Sequence, residues 1–276
     1  MELMDLAYLT DESGESRLVL DDRALMEWSE SSGVPPRVAQ IVALEAGIIP
    51  LRYLKNFSAV DLAEQTRICK SRVLICGCGG LGGVLINLLA RVGVGGLRLV
   101  DGDTFAATNL NRQWLCDTRN LSQPKALVAE RQVRAINPLV EVEAVPEILD
   151  ETNAEGLVRG MDLVLDALDN LPGRFLLAEI AHRMGIPFLH GAATGWWGQV
   201  STFMPDSTLA LQAIYGARRN RDAKEIAMGV LGPAPSVIAS LQAFEAIRLL
   251  SRKSPAYANR LLFFDGESGA IELIPL

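Results

Sequence analysis

An apolar run that breaks into glycines and then resumes as an apolar helix constrains this chain more than any other feature. Val73-Leu74-Ile75-Cys76 reads as a buried strand, Gly77-Cys78-Gly79-Gly80-Leu81-Gly82 as a tight turn, and Leu85-Ile86-Asn87-Leu88-Leu89-Ala90 as the helix that follows. Gly77, Gly79 and Gly82 have the G-x-G-x-x-G spacing, which lets the backbone turn sharply and a phosphate approach the helix N-terminus. There the unpaired N–H groups and the positive end of the helix dipole attract an anion. Asp101 closes the next apolar run about 20 residues on, where a carboxylate can hold ribose hydroxyls. The same glycines could serve helix–strand packing alone, so the flanking strand, the helix and Asp101 carry the nucleotide reading.

Apolar runs and helical periodicity alternate from there. Strands are expected at 73–76, 97–101, 140–145, 163–167 and 186–190, and helices at 81–92, 123–136, 151–159 and 173–184. Such alternation predicts a parallel sheet covered by helices. After Gly191 the order changes to a longer strand at 197–204, a helix over 236–250, and two strands within 261–276 joined by Asp265-Gly266-Glu267-Ser268-Gly269. That part is expected to be antiparallel. Ahead of the glycine turn, residues 21–30 and 36–47 read as short helices, and a further polar helix runs through Gln65. The expected fold is α/β: a Rossmann-like, mostly parallel sheet continued by antiparallel strands, with a helical N-terminal arm. Residues 1–65 make the arm and 66–276 the nucleotide-binding domain, with the arm covering either its own molecule or a neighbour.

Composition excludes some classes. With 33 Asp and Glu against 26 Lys and Arg, the chain is poorly suited to gripping a nucleic-acid backbone as its main task. Its four cysteines, Cys69, Cys76, Cys78 and Cys116, never fall at C-x-x-C spacing and have only His182 and His190 for company, so no zinc site is expected. Their apolar neighbours suit buried, reduced thiols of a cytoplasmic protein. The most apolar stretch, 84–100, is broken by Arg91 and Arg98, and no basic segment opens the chain, so neither a membrane span nor a signal peptide is expected.

A lone G-x-G-x-x-G makes a nicotinamide dehydrogenase the default. Three later features pull away from it. Arg112 sits in a polar loop after Asp101, Lys125 opens the next helix, and Asp166-Ala167-Leu168-Asp169-Asn170 ends a buried strand at the edge where open α/β sheets bind ligands. Two cations and a carboxylate suit a triphosphate with Mg²⁺ better than a dinucleotide.

Taken together, Gly77-Cys78-Gly79-Gly80-Leu81-Gly82, Asp101-x-Asp103, Asn109-Leu110-Asn111-Arg112-Gln113, Gln123-Pro124-Lys125, Ile136-Asn137-Pro138 and Leu165-Asp166-x-x-Asp169-Asn170 resemble the E1-like activating enzymes. This is the superfamily of the molybdopterin-synthase and thiamine-pathway sulfur-carrier adenylyltransferases. The resemblance runs from Leu51 to the C-terminus. It implies ATP-dependent adenylation of the C-terminal glycine of a small β-grasp carrier protein ending in Gly-Gly, with pyrophosphate leaving, by a homodimer. It places the nucleotide on Gly77, Gly79, Gly80, Gly82, Asp101, Asp103 and Gln113. Asn109, Arg112 and Lys125 take the phosphates and the reacting carboxylate, and Asp169 takes Mg²⁺. Lys55, in Arg52-Tyr53-Leu54-Lys55, stands where the arm of a neighbouring subunit usually supplies an Arg. The chain departs from the family in lacking the paired C-x-x-C zinc ligands and a thioester cysteine in Ala223-Lys224-Glu225-Ile226-Ala227-Met228-Gly229-Val230. Two other readings stand beside this one: a tRNA threonylcarbamoyladenosine dehydratase, which the acidic balance disfavours, and a non-catalytic, nucleotide-gated scaffold for a carrier protein.

Overall fold

The computed structural model describes residues 2–11, 14–208, 210–217 and 228–276, so most of the stretch 223–230, where the family's thioester cysteine is missing, lies outside the described residues. The N-terminal part contains β1 (Tyr8–Thr10), β2 (Arg17–Leu20), α1 (Asp22–Ser32), α2 (Pro36–Glu45), β3 (Ile49–Pro50), a 3-10 helix over Leu51–Asn56, and α3 (Leu62–Lys70). The alternating part follows as β4 (Arg72–Cys76), α4 (Gly80–Val92), β5 (Gly96–Val100), α5 (Lys125–Ile136) and β6 (Glu141–Val145), then α6 (Ala154–Val158), β7 (Leu163–Asp166), α7 (Leu171–Arg183) and β8 (Phe188–Thr194). The chain ends with β9 (Trp197–Phe203), the one-turn α8 (Gln212–Tyr215), the long α9 (Pro233–Leu250), β10 (Arg260–Asp265) and β11 (Ala270–Pro275).

The large sheet runs β11-β10-β9-β8-β7-β4-β5-β6. From β6 to β8 every neighbouring pair is parallel; β9, β10 and β11 pair antiparallel, as expected from the sequence. After β4 the chain moves outward through β5 and β6, then returns to place β7 on the other side of β4. The crevice between the carboxyl ends of β4 and β7 is thus the switch point of an open α/β sheet, where ligands bind. Alternate side chains of β4 feed two cores: Val73 and Ile75 join the layer of α4, α5 and α9, while Leu74 and Cys76 join that of α6 and α7. This two-sided burial is why the parallel strands read as unbroken apolar runs.

Local chemistry explains where boundaries moved. α5 begins at Lys125 and not at 123, because Ser122 to Pro124 pair back on Asp103 to Phe105: Phe105 N–H donates to Gln123 O and Ser122 N–H to Phe105 O. α6 starts late because Asp150 Oδ1 accepts from the N–H groups of Thr152 and Asn153, holding a turn before the helix. α7 starts at Leu171, capped by Asn170, whose Oδ1 accepts from Gly173 N–H. The Asp61 and Glu64 capping box starts α3, which runs on past Gln65 to Lys70.

The helices expected near the N-terminus are present, and the structure adds a three-stranded sheet, β1-β2-β3, to them. This part is sewn to the body by a buried polar seam. Tyr53, fully buried, donates its hydroxyl to Gln40 Oε1 at 2.8 Å and accepts from Asn137 Nδ2 at 2.9 Å; Gln40 Nε2 donates to Leu139 O at 2.9 Å. No helix among the described residues is long and apolar enough to cross a membrane.

Candidate functional site

A cavity of about 810 Å³ opens at the switch point, and the N-terminal ends of α4, α5 and α7 converge on it. Its phosphate side is the turn from Gly77 to Gly80. Gly77 has φ +101°, and a Cβ there would drive into the Ala167 carbonyl. A Cβ on Gly82 would collide with the Gly77 carbonyl, so Gly82 acts in close packing beneath the turn and does not line the cavity. Gly79 and Gly80 face the cavity at the start of α4, where N–H groups are left without helical partners.

Asp101, at the end of β5, braces that turn. Its Oδ2 accepts from Cys78 N–H at 2.7 Å and its Oδ1 from Asp103 N–H at 2.9 Å. Burial raises its carboxyl above the usual range, and those backbone N–H groups oppose the shift. Each oxygen keeps a second lone pair for a ribose hydroxyl. Asp103 reaches Lys125, with Nζ to Oδ2 3.0 Å; the lysine side chain is 8% exposed and the aspartate 67%. Arg112 lies across the mouth, its Nη1 donating to Thr108 O and Asn111 Oδ1, both at 2.9 Å. Gln113, buried on the wall beside Gly79, has an Oε1 with no hydrogen-bond partner. Asp169 is exposed and lines the cavity at the turn between β7 and α7.

The structure therefore brings Gly77, Gly79, Gly80, Asp101, Asp103, Arg112, Gln113, Lys125 and Asp169 to one cavity. Asn109 is set back from the wall: its Oδ1 accepts from Ala106 N–H at 2.9 Å, and its carbonyl accepts from the N–H groups of Arg112 and Gln113, fixing the loop that carries them. Lys55 is exposed at the end of the 3-10 helix and does not line this cavity. Trp197 lines the cavity and packs at a tilt against Phe263 with ring centroids 5.7 Å apart, while Trp196 is outside, half exposed.

In the cavity wall lies a polar cluster that sequence reasoning missed: Arg174, Gln199 and Tyr215 line the cavity, while Asp166 and His190 are fully buried and do not. Asp166 Oδ2 meets His190 Nδ1 at 2.7 Å, and both are fully buried. Burial pushes the imidazole below its ordinary value, with Asp166 opposing, so His190 is neutral with its proton on Nδ1. Tyr215 and Arg174 complete the cluster, with Gln199 donating to the Tyr215 oxygen at 2.9 Å. The available signal was an Asp and a His each set inside an apolar run, Leu163 to Ala167 and Phe188 to Ala192, where a polar side chain needs a partner.

All four cysteines are free, and no cluster of metal-ligating side chains occurs among the described residues. Burial raises the thiols of Cys76 and Cys78, and that of Cys69 to about 12, which suits packing and not nucleophilic chemistry.

The model of the ThiF family matches residues 52–276. The chain is 39% identical over 212 residues to the SAMP-activating enzyme E1 of Haloferax volcanii, covering 76% of this chain and 78% of that protein. It is 36% identical over 208 residues to the sulfur carrier protein adenylyltransferase of Thermus thermophilus, covering 73% and 77%. Over 230 residues it is 35% identical to the molybdopterin-synthase adenylyltransferase of Haemophilus influenzae, covering 82% and 94%. Among solved structures, Escherichia coli MccB superposes with a TM-score of 0.72 at 20% identity, covering 82% of this chain and 69% of that one, a likeness of fold alone.

Proposed function

This chain belongs to the ThiF family, and from that premise we propose that it is an ATP-dependent adenylyltransferase acting on the C-terminal carboxylate of a small ubiquitin-like sulfur carrier ending in Gly-Gly, in molybdopterin, tungsten-cofactor or thiamine biosynthesis. The observation that carries this reading is that Arg112, Lys125 and Asp169 line one cavity together with a glycine turn at a helix N-terminus. Relatives whose names specify a sulfur carrier and molybdopterin synthase support the choice of acceptor.

The residues fit the nucleotide on chemical grounds. At Gly77 the turn has room only for backbone, Asp101 offers acceptors to ribose hydroxyls, and Gln113 lines the wall beside Gly79. The carrier carboxylate oxygen forms a bond to the α-phosphorus, and the bond from that phosphorus to the oxygen bridging to the β-phosphate breaks, releasing pyrophosphate. Attack brings two anions together, so Arg112 and Lys125 act by neutralising charge and holding the line of attack. Asp169 would hold Mg²⁺, which supplies further neutralisation of the phosphates. Without a cysteine in 223–230, the mixed anhydride passes to an external sulfur donor, or to an amine or thiol on another protein, with AMP leaving.

In this reading residues 1–65 are an arm and 66–276 the adenylation domain, and the protein works as a cytoplasmic homodimer. Trp114 and Phe244, two-thirds exposed, and Leu110 and Leu231 offer apolar surface for a second copy, and Lys55 would reach the neighbour's phosphates. ATP–pyrophosphate exchange with purified protein, Mg²⁺ and each candidate carrier tests the proposal, with Asp169→Ala as control. Carrier-dependent exchange that disappears in the control supports it; ATP binding without exchange for any carrier overturns it and favours the tRNA dehydratase and scaffold readings.

A further inference from the structure

The cluster in the cavity wall closes on itself. Starting from Asp166, Oδ1 accepts from Leu168 N–H at 3.0 Å. The Leu168 carbonyl accepts from both Nε and Nη2 of Arg174, the first at 3.1 Å. Arg174 Nη1 donates to the Tyr215 oxygen at 3.0 Å, the Tyr215 hydroxyl donates to His190 Nε2 at 3.0 Å, and His190 Nδ1 returns to Asp166 Oδ2. Every donor faces an acceptor only with His190 neutral and protonated on Nδ1, the state its burial favours.

What the ring encloses is Leu168, gripped by its N–H from one side and its C=O from the other. The next residue is Asp169. Since both peptide groups flanking the Leu168 Cα are held, the direction in which the chain presents Asp169 is set by the ring and not by the exposed turn itself. Tyr215 enters from the segment 211–216, which lines the cavity through Ile214 and is seated by the buried Leu211. One phenolic oxygen therefore joins that segment to the Leu168–Asp169 turn.

We propose that Tyr215, His190 and Arg174 are positioning residues that hold the Leu168–Asp169 turn in the orientation needed to bind Mg²⁺ with the nucleotide. The proposal rests on the assignment of Mg²⁺ to Asp169 above. None of the three touches the metal; they act through Leu168. A closed ring also makes the effect asymmetric. Loss of one hydroxyl opens it at two links, Arg174 and His190, while the glycine turn and Asp101 are left as they were.

The test is equilibrium binding of α,β-methylene-ATP, by calorimetry, in excess MgCl₂ and in EDTA, for wild type, Asp169→Asn, Tyr215→Phe and Arg174→Lys. Tyr215→Phe keeps the ring packed edge-on against His190, with centroids 5.6 Å apart, and thermal melting verifies that it stays folded. Arg174→Lys keeps the charge and loses the two-pronged hold on Leu168. The expected result is a metal enhancement of binding that vanishes in Asp169→Asn and falls about tenfold in both ring variants, with affinity in EDTA unchanged, as loss of a charge-assisted hydrogen bond in the metal-bound state alone would give. Equal weakening with and without Mg²⁺ would mean a merely structural role and overturn the inference. Wild-type enhancement in both ring variants, alongside its loss in Asp169→Asn, overturns the inference and leaves the functional reading standing. No enhancement in wild type overturns the assignment of Asp169 and the inference with it.

Discussion

Lys125→Met separates chemistry from architecture because the two members of the Lys125 and Asp103 pair are so unequally buried. The ammonium sits at the first residue of α5 with 8% of its side chain exposed, 3.0 Å from a carboxylate that is 67% exposed. Methionine retains the apolar stem and removes the charge. Breaking an ion pair is costly when it strands a buried charge, but here the charge left behind is solvated. The pair itself, half in water, contributes at most about 1 kcal/mol, a change in Tm of no more than about 3 °C for a chain of this size. In the reaction the ammonium would face a phosphate, and a charge-assisted hydrogen bond of that kind contributes about 1.5–3 kcal/mol. At 1.36 kcal/mol per factor of ten, kcat/KM for ATP–pyrophosphate exchange falls about 10- to 150-fold. Exchange kinetics with saturating carrier, run beside a thermal melt, decide it. Exchange within threefold of wild type, or a loss of activity matched by a large fall in Tm, refutes the reasoning.

Three further outcomes follow from the geometry. Gly82→Ala pushes a methyl into the Gly77 carbonyl, and the overpacking costs about 1–3 kcal/mol or displaces the phosphate turn; nucleotide affinity drops even though residue 82 does not face the cavity, and an unchanged dissociation constant for ATP would contradict this. Tyr53→Phe leaves Gln40 and Asn137 short of a partner in the N-terminal seam, so chemical denaturation registers a loss of about 1–3 kcal/mol while ATP binding stays at the wild-type level. The His190 imidazole, held below its ordinary 6.5 by burial, takes up a proton less readily in the folded than in the unfolded state. Its contribution to stability is therefore complete above about pH 6.5 and is lost as pH falls from there through the depressed folded value. Melting temperatures between pH 8 and 5 decline accordingly, and His190→Gln flattens that decline; an identical slope in the variant removes the explanation.

Much of the parallel sheet and its ligand edge was legible because one residue type dominates each decision. Glycines at 77 and 82 are dictated by close backbone approaches, and doubly buried strands such as Leu163–Asp166 announce themselves as apolar runs. The ring around Leu168 was not legible, since Asp166 and His190 lie 24 residues apart and meet only because β7 and β8 are neighbours in the sheet. The small N-terminal sheet also escaped notice. Its strands have three, four and two residues, too short for alternation to show, and the last contains Pro50, which reads as a break. Asn109 carried a motif whose residue types were right, while the structure gives its side chain to Ala106 and leaves the cavity to Arg112 and Gln113.

The N-terminal sheet and the helices beside it have a colloidal consequence. Residues 1–36 contain nine carboxylates and two arginines, so the remaining 240 residues carry 24 charges of each sign. Residues 37–276 are thus electrically neutral at pH 7, and the whole of the chain's net charge resides in a segment that precedes the family-matched region. Proteins near zero net charge associate and precipitate more readily than charged ones. A body with Trp114 and Phe244 exposed has apolar surface through which to do so. The segment acts as electrostatic ballast, opposing precipitation of the protein in a crowded solution.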